Sequence, residues 1–239
     1  MIYLCGDTHG NYEIHKLLNE KFISSKEFSK DDYFIILGDF GVFWKDETDE
    51  AEKNILEAIS KLPFTVLFID GNHENFNRLF SFKNESKFKG TVGVCGENLY
   101  WLKRGEIYEI CGKNIFVFGG ALSIDKAHRT PNLSWWKQEM PSEDEKEYAI
   151  KNIKNFMKNG KSIDIVLSHT APNSAISRLG YRINSSKIDS TSIFLEHIFF
   201  LAKPKEWYFG HFHNDVEFDL DGCKFRLCYD NIVEISNIK

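Results

Sequence analysis

The sequence predicts a mixed α/β sandwich in which β-sheets pack together and helices lie outside. Two observations carry this. Short β-branched and aromatic runs alternate with helix-like stretches through most of the chain, and the C-terminal part then turns to antiparallel hairpin patterning. No internal repeat, low-complexity tract or Pro/Gly/Ser-rich linker interrupts this order, so residues 1–239 read as one domain, long enough for a full core.

The runs at residues 1–5, 33–37, 65–69, 115–118 and 163–168 are short, apolar and bounded by turn residues, as buried strands are. Between the second and third lies the stretch 46–62, acidic at its start, with Ile55, Leu56, Ile59 and Leu62 at helical spacing and Pro63 as a stop. A second helix is expected over 142–159, where Ser142 and Glu145 have capping-box spacing and Gly160 follows the end. A third is expected over 190–202. Near the C-terminus, alternating apolar residues flank Asp221-Gly222, a strong two-residue hairpin signal.

Composition narrows the function. A hydrophobic fraction of 42%, with 21 Phe, excludes a disordered chain. The formal charge of -5 argues against sequence-independent binding to long nucleic acid, which needs a basic surface, although a local basic pocket stays open. No apolar run approaches the ~20 residues that cross a bilayer. Met1 leads straight into a strand-like run without a basic leader, so a cytoplasmic location and no membrane partner are expected. Five cysteines, an odd number without a CxxC pair, read as reduced thiols and not as a disulfide framework or a zinc site.

Five short motifs carry the chemistry. Asp7-Thr8-His9-Gly10, Gly38-Asp39, Gly71-Asn72-His73-Glu74 and Ser168-His169 each follow a strand-like run, and Gly210-His211-Phe212-His213 comes last. Ligand sites in α/β sheets gather beyond the carboxyl ends of strands, so motifs distant in sequence are expected to converge there. Carboxylate, imidazole and amide oxygen without thiolate suit Mn, Fe, Zn or Ni. Two cations held ~3.5 to 4 Å apart need a shared anionic ligand.

The series DxHG, GD, GNHE, SH and GHxH resembles the calcineurin-like metallophosphoesterases, from Asp7 to His213. The resemblance implies a four-layer αββα sandwich of two mixed sheets and a binuclear centre that hydrolyses phosphate esters, with Mn the first metal to try. It also implies in-line attack on phosphorus by a metal-bridging hydroxide. It makes Asp7, His9 and His213 ligands of one ion, Asn72, His169 and His211 ligands of the other, and Asp39 the carboxylate shared by both. His73 then resembles the histidine that stabilises or protonates the leaving oxygen, and Glu74 is expected to orient its imidazole by accepting a ring N–H.

One departure bears on substrate. In the phosphoprotein phosphatase branch the GD motif runs on into an Asp-Arg pair whose Arg grips a monoester; here the chain reads GDFGVFW. That favours a phosphodiesterase acting on a nucleotide or small nucleic acid, because fewer free phosphate oxygens need a bidentate partner. A phosphomonoesterase with an Arg from elsewhere is the alternative, and a silent scaffold the lesser one. Arg78, Arg104, Arg129, Arg178 and Arg182 are the candidates for such an Arg, with Arg129 first because it sits near Asp125 and His128 in GGALSIDKAHRT. That segment is loosely similar in layout to the lariat debranching branch, which keeps RNA in view as a partner. No obligate protein partner is implied. Trp44 and Trp135-Trp136 read as packing residues before stacking faces, and His15 and His197 as structural.

Overall fold

The computed structural model describes residues 1–181 and 189–235. Four strands, β1 (Ile2–Cys5), β2 (Tyr33–Ile36), β3 (Thr65–Phe68) and β6 (Leu99–Leu102), run parallel. Three antiparallel strands complete this sheet: β13 (Val233–Ile235) beside β1, and β5 (Gly90–Gly96) then β4 (Lys83–Lys87) beyond β6. In the second sheet β8 (Lys113–Phe118), β9 (Ile165–Ser168), β10 (Glu206–Phe209) and β12 (Cys223–Leu227) are parallel, with β7 (Ile107–Ile110) and β11 (Val216–Leu220) antiparallel at its edges. Both sheets are mixed, as expected.

Strand alternation builds the layers. Successive side chains point to opposite faces, and the buried residues fall into three cores. Ile2, Leu4, Ile35 and Leu67 meet Ile115, Val117, Ile165 and Leu167 between the sheets. On the other face of the first sheet Tyr3, Phe34, Val66 and Phe68 pack with Ile55 and Ile59 of α2 (Glu50–Ser60). On the outer face of the second, Phe116, Phe118, Val166 and Trp207 pack with Ala149 and Ile153 of α4 (Glu143–Lys158) and with Leu195 and Ile198 of α6 (Ser190–Ala202). Three cores separate four layers, which is the αββα sandwich.

The helix expected over 142–159 has its capping box, with Ser142 and Glu145 bonded reciprocally. Residues 46–48 are not helical. Asp49 caps α2 by accepting from the Glu52 backbone, and Asp46 instead accepts from the Asn75 side chain, so the acidic run starts the helix later than its periodicity implies. Strands β4 to β7, β10 and β13 and the short helices α1 (Glu20–Ile23), α3 (Phe76–Ser81) and α5 (Asn173–Arg178) lie beyond the elements that the sequence predicts.

Candidate metal centre

The parallel strands of both sheets end at one rim, and the loops that follow β1, β2, β3, β9 and β10 carry Asp7, Asp39, Asn72, His169 and the pair His211 and His213. Hydrogen bonds lock these loops to one another. The Thr8 and His9 backbone amides both donate to the Asp39 carbonyl, at 3.0 and 2.8 Å, and Gly10 donates to the Phe40 carbonyl at 2.8 Å. The Asp39 carboxylate accepts from the His73 amide at 2.7 Å, and that of Asp7 from the His211 amide at 3.0 Å.

The backbone is bent sharply to aim these groups. His9, Asp39, His211 and His213 all have left-handed φ, between 44° and 70°, a conformation that non-glycine residues take rarely and at a cost of ~1 to 3 kcal/mol each. Gly71 has no room for a side chain: a Cβ there would stand 2.0 Å from Asp39 Oδ1. At Gly38 it would stand 2.2 Å from the His169 ring.

Two triads of metal-competent atoms result, Asp7 with His9 and His213, and Asp39 with His169 and His211, each within 4.8 Å of one another. His9 and His213 turn their Nε2 atoms toward each other at 3.1 Å, and His213 Nε2 lies 3.7 Å from Asp7 Oδ1. His169 Nε2 lies 3.3 Å from Asp39 Oδ1, 4.0 Å from Asp7 Oδ1 and 3.1 Å from Asn72 Oδ1. Its Nδ1 donates to the Leu37 carbonyl at 2.7 Å, which leaves Nε2 as the nitrogen turned to the centre. All seven side chains expected as ligands therefore meet in one place.

The electrostatics fit divalent cations. Asp7 and Asp39 are buried, and burial together with the Asp39 charge pushes Asp7 up to about 7. Against burial, His169 and the nearby imidazoles hold Asp39 well below the usual carboxylate range. His169 pays the same burial penalty, yet Asp39 and Asp7 push it up to about 10, so without metal it serves as the cation between two carboxylates. Burial and the His169 charge push His211 down to about 3, which keeps the ring neutral and one of its nitrogens free of a proton. Two carboxylates, four imidazoles and an amide oxygen form a donor set suited to borderline divalent ions.

The remaining expected residues divide. His73 sits beside the triads, with its ring 5.3 Å from that of His9, and burial and the Arg129 charge lower its pKa against the pull of Asp39. Glu74 needs correction. Its carboxylate accepts from the Phe40 and Gly41 amides at 2.7 and 3.3 Å and not from the His73 ring, so it braces the loop after Asp39. The Arg129 guanidinium stands by the His73 ring, with Nη2 3.4 Å from Nε2. Asp125 holds that guanidinium at Nε with both oxygens, at 2.9 Å each. His128 is exposed and lies outside the cavity that adjoins the centre. Of the other arginines, Arg78 is paired with Glu52 and Arg104 is buried against Asp70. Arg178 lies by Leu179 and Tyr181 at another hollow, and Arg182 falls outside the described residues. Trp136 is buried in the core, and His15 and His197 are exposed.

Three supporting residues carry no sequence signal. Asn72 Nδ2 donates to Ser123 Oγ at 3.1 Å, and that hydroxyl donates to Glu139 at 2.6 Å, which orients the amide so that its oxygen faces His169. Tyr229 stacks on His213. Neither Ser123 nor Tyr229 stands in a motif, and only the glycines before Ser123 mark that loop as tight.

Two adjoining triads on the strand ends of an αββα sandwich define a protein suited to a pair of divalent ions. A family model, calcineurin-like phosphoesterase, matches residues 1–215, and the chain belongs to that family. It is similar to a lariat debranching enzyme of Schizosaccharomyces pombe, 27% identical over 174 residues, which are 67% of this chain and 35% of that protein. The chain thus spans about a third of the length of that relative. Among solved structures it is similar to GAP50, the anchor in the inner membrane complex of Plasmodium, with a TM-score of 0.54 and 14% identity, covering 95% of this chain and 70% of that one. The phosphopantetheinyl hydrolase of Mycobacterium tuberculosis aligns with a TM-score of 0.44 and 14% identity over 96% of this chain and 89% of that one. The likeness to GAP50 concerns the fold alone. No helix among the described residues is long and apolar enough to cross a membrane.

Proposed function

We propose that this chain, as one domain over 1–239, is a metal-dependent phosphodiesterase that acts on a nucleotide or small nucleic acid, RNA included. The observation that supports the diester is the state of Arg129. It is the described arginine that lines the cavity at the centre, and its guanidinium is engaged by Asp125 and, through Nη1, by the Ser134 carbonyl at 3.1 Å. It has no free fork for the extra oxygens of a monoester. The relative named for lariat debranching lends support to a nucleic-acid diester.

In this reading Asp7, His9 and His213 would hold one ion, Asn72, His169 and His211 the other, and Asp39 would be shared by both. Two divalent ions, when bound, supply an acidified water as nucleophile and neutralise charge on phosphate. His73 gives its proton to the leaving oxygen, and Arg129, held by Asp125, keeps that imidazole oriented at Nε2. Among the described residues His128 has no side-chain contact that gives it a role. Mn is the metal of first choice for this donor set, and the five free cysteines suit the cytoplasm.

The test is turnover of bis-para-nitrophenyl phosphate against para-nitrophenyl phosphate by the Mn-loaded protein. A preference for the diester is expected. A large preference for the monoester overturns the diesterase reading, and turnover of neither overturns the hydrolase.

A further inference from the structure

A cavity of about 590 Å³ opens beside the centre, and His9, His73, His213 and Arg129 form its inner end. Its walls come from Tyr12, Val42, Trp44, Ala51, Ile55 and Tyr229, a mostly apolar surface with three aromatic rings. That space is large enough for a nucleoside-sized group. We propose that it is the subsite for an uncharged planar ring of the nucleobase class, carried by the oxygen that leaves. The proposal rests on the phosphodiesterase reading above.

Charge is the first argument. The two cations in the lining are already paired, Lys45 with Asp49 and Arg129 with Asp125, while Glu13 also faces the cavity. Glu52, the remaining acid, is neutralised by Arg78 at 2.7 Å. A second phosphate entering here would meet no unengaged cation among the described residues that line it. The arm that fits is therefore neutral, a nucleoside end and not a continuing strand or a polyphosphate, since backbone tracking needs free Lys or Arg.

Ring chemistry is the second. Tyr12 is 87% exposed at the rim, which leaves its ring open to a stacking partner. Trp44, half-buried, meets Trp136 edge to face at 5.3 Å and leans on His73 at 6.4 Å, so it connects the cavity wall with the proton donor. Asn11 and Glu13 add polar groups to these walls, suited to the hydrogen-bonding rim of a base and wasted on an alkyl chain. The position of His73 at the inner end puts the ring on the leaving oxygen.

The experiment is calorimetric titration of the Mn-loaded protein with adenosine, which lacks phosphate and so reports the subsite alone. Saturable binding is expected, weakened roughly tenfold by Trp44→Leu and by Tyr12→Ser, the scale of base stacking on an aromatic side chain. Tyr12 is exposed enough that its replacement leaves folding intact, and Trp44→Phe should restore most of the affinity. Absence of saturable adenosine binding, equal affinity in both variants, or equal binding of 1-hexanol overturns the proposal. Wild-type protein that hydrolyses bis-para-nitrophenyl phosphate but ignores adenosine sinks the subsite alone; protein that binds adenosine but cleaves neither nitrophenyl ester sinks the hydrolase and leaves the ring site supported.

Discussion

The Tyr229 ring lies parallel to the His213 imidazole, 8° between planes and 4.6 Å between centroids. On its other side the Lys16 ammonium stands 3.5 Å from the ring centre and donates to the Asp7 carbonyl at 2.9 Å. His213 has a left-handed backbone and a side chain 48% exposed, so it needs an external hold to stay aimed. Tyr229→Leu should weaken Mn affinity about tenfold, the usual cost of losing a contact that orients a ligand. Tyr229→Phe should not. Chelator competition reads both, and equal losses would assign the effect to the hydroxyl, which donates to Glu13, and not to the stack.

Ser123 sets which end of the Asn72 amide faces His169 and the two triads. With its hydroxyl committed to Glu139, Ser123 accepts from Asn72 Nδ2 and so turns Oδ1 inward. Ser123→Ala removes that preference and lets the amide turn over. Metal content by elemental analysis at limiting Mn should fall by roughly tenfold in affinity. A variant that retains both ions at wild-type affinity would show that the amide is held by His169 alone.

Glu139 contributes a pH dependence of its own. Burial raises its carboxyl above the usual 4.5, against the Ser123 hydrogen bonds and the Lys126 charge. The folded protein thus holds this proton more tightly than the unfolded chain. Its contribution to stability is full below about 4.5 and fades as the pH rises through the raised value. Glu139→Gln should flatten that part of a Tm-against-pH profile, with the variant gaining on the wild type as pH climbs. Parallel profiles would contradict the raised carboxyl.

The acid catalysis proposed for His73 separates from metal binding. Its ring contacts Arg129 and the His9 ring, and only its backbone amide touches Asp39. His73→Ala should keep both ions while kcat for the diester drops by roughly 10² to 10⁴. Loss of metal in that variant would make His73 a ligand. Asp39→Asn, in contrast, should lose metal and turnover together.

The legible part of this molecule is the part where a sequence pattern and a strand end coincide. Asp7, Asp39, Asn72 and His169 each follow an apolar strand run, and α4, α6 and the hairpin at Asp221-Gly222 announce their own boundaries. Strands β4 to β7 were hidden for a physical reason. They sit toward sheet edges, carry exposed charges such as Lys83, Glu85 and Glu109, and β5 includes three glycines and a bulge between Val94 and Gly96. Glu74 shows the limit at the site. Its neighbour in sequence is His73, but its carboxylate bonds to residues 34 and 33 positions earlier, a relation that only the meeting of two loops creates.

Arg104 illustrates the same limit and yields a stability prediction. Read as a possible phosphate ligand, it is instead buried, donating through Nε to Asp70 at 2.7 Å and through Nη2 to the Gln138 carbonyl at 2.9 Å. Trp101 Nε1 donates to the other Asp70 oxygen at 3.1 Å. Burial raises the Asp70 carboxyl even with this guanidinium beside it, so desolvation outweighs the attraction. A pair in that balance adds little net stability, yet removing one member strands the other in the interior. Arg104→Met should therefore cost ~3 to 5 kcal/mol in urea unfolding. Adding Asp70→Asn to Arg104→Met should recover a large share, because no unpaired charge then remains buried. A double variant as unstable as the single one would show that the guanidinium's bonds to the Gln138 and Glu139 carbonyls, and not the ion pair, hold this corner of the sheet together.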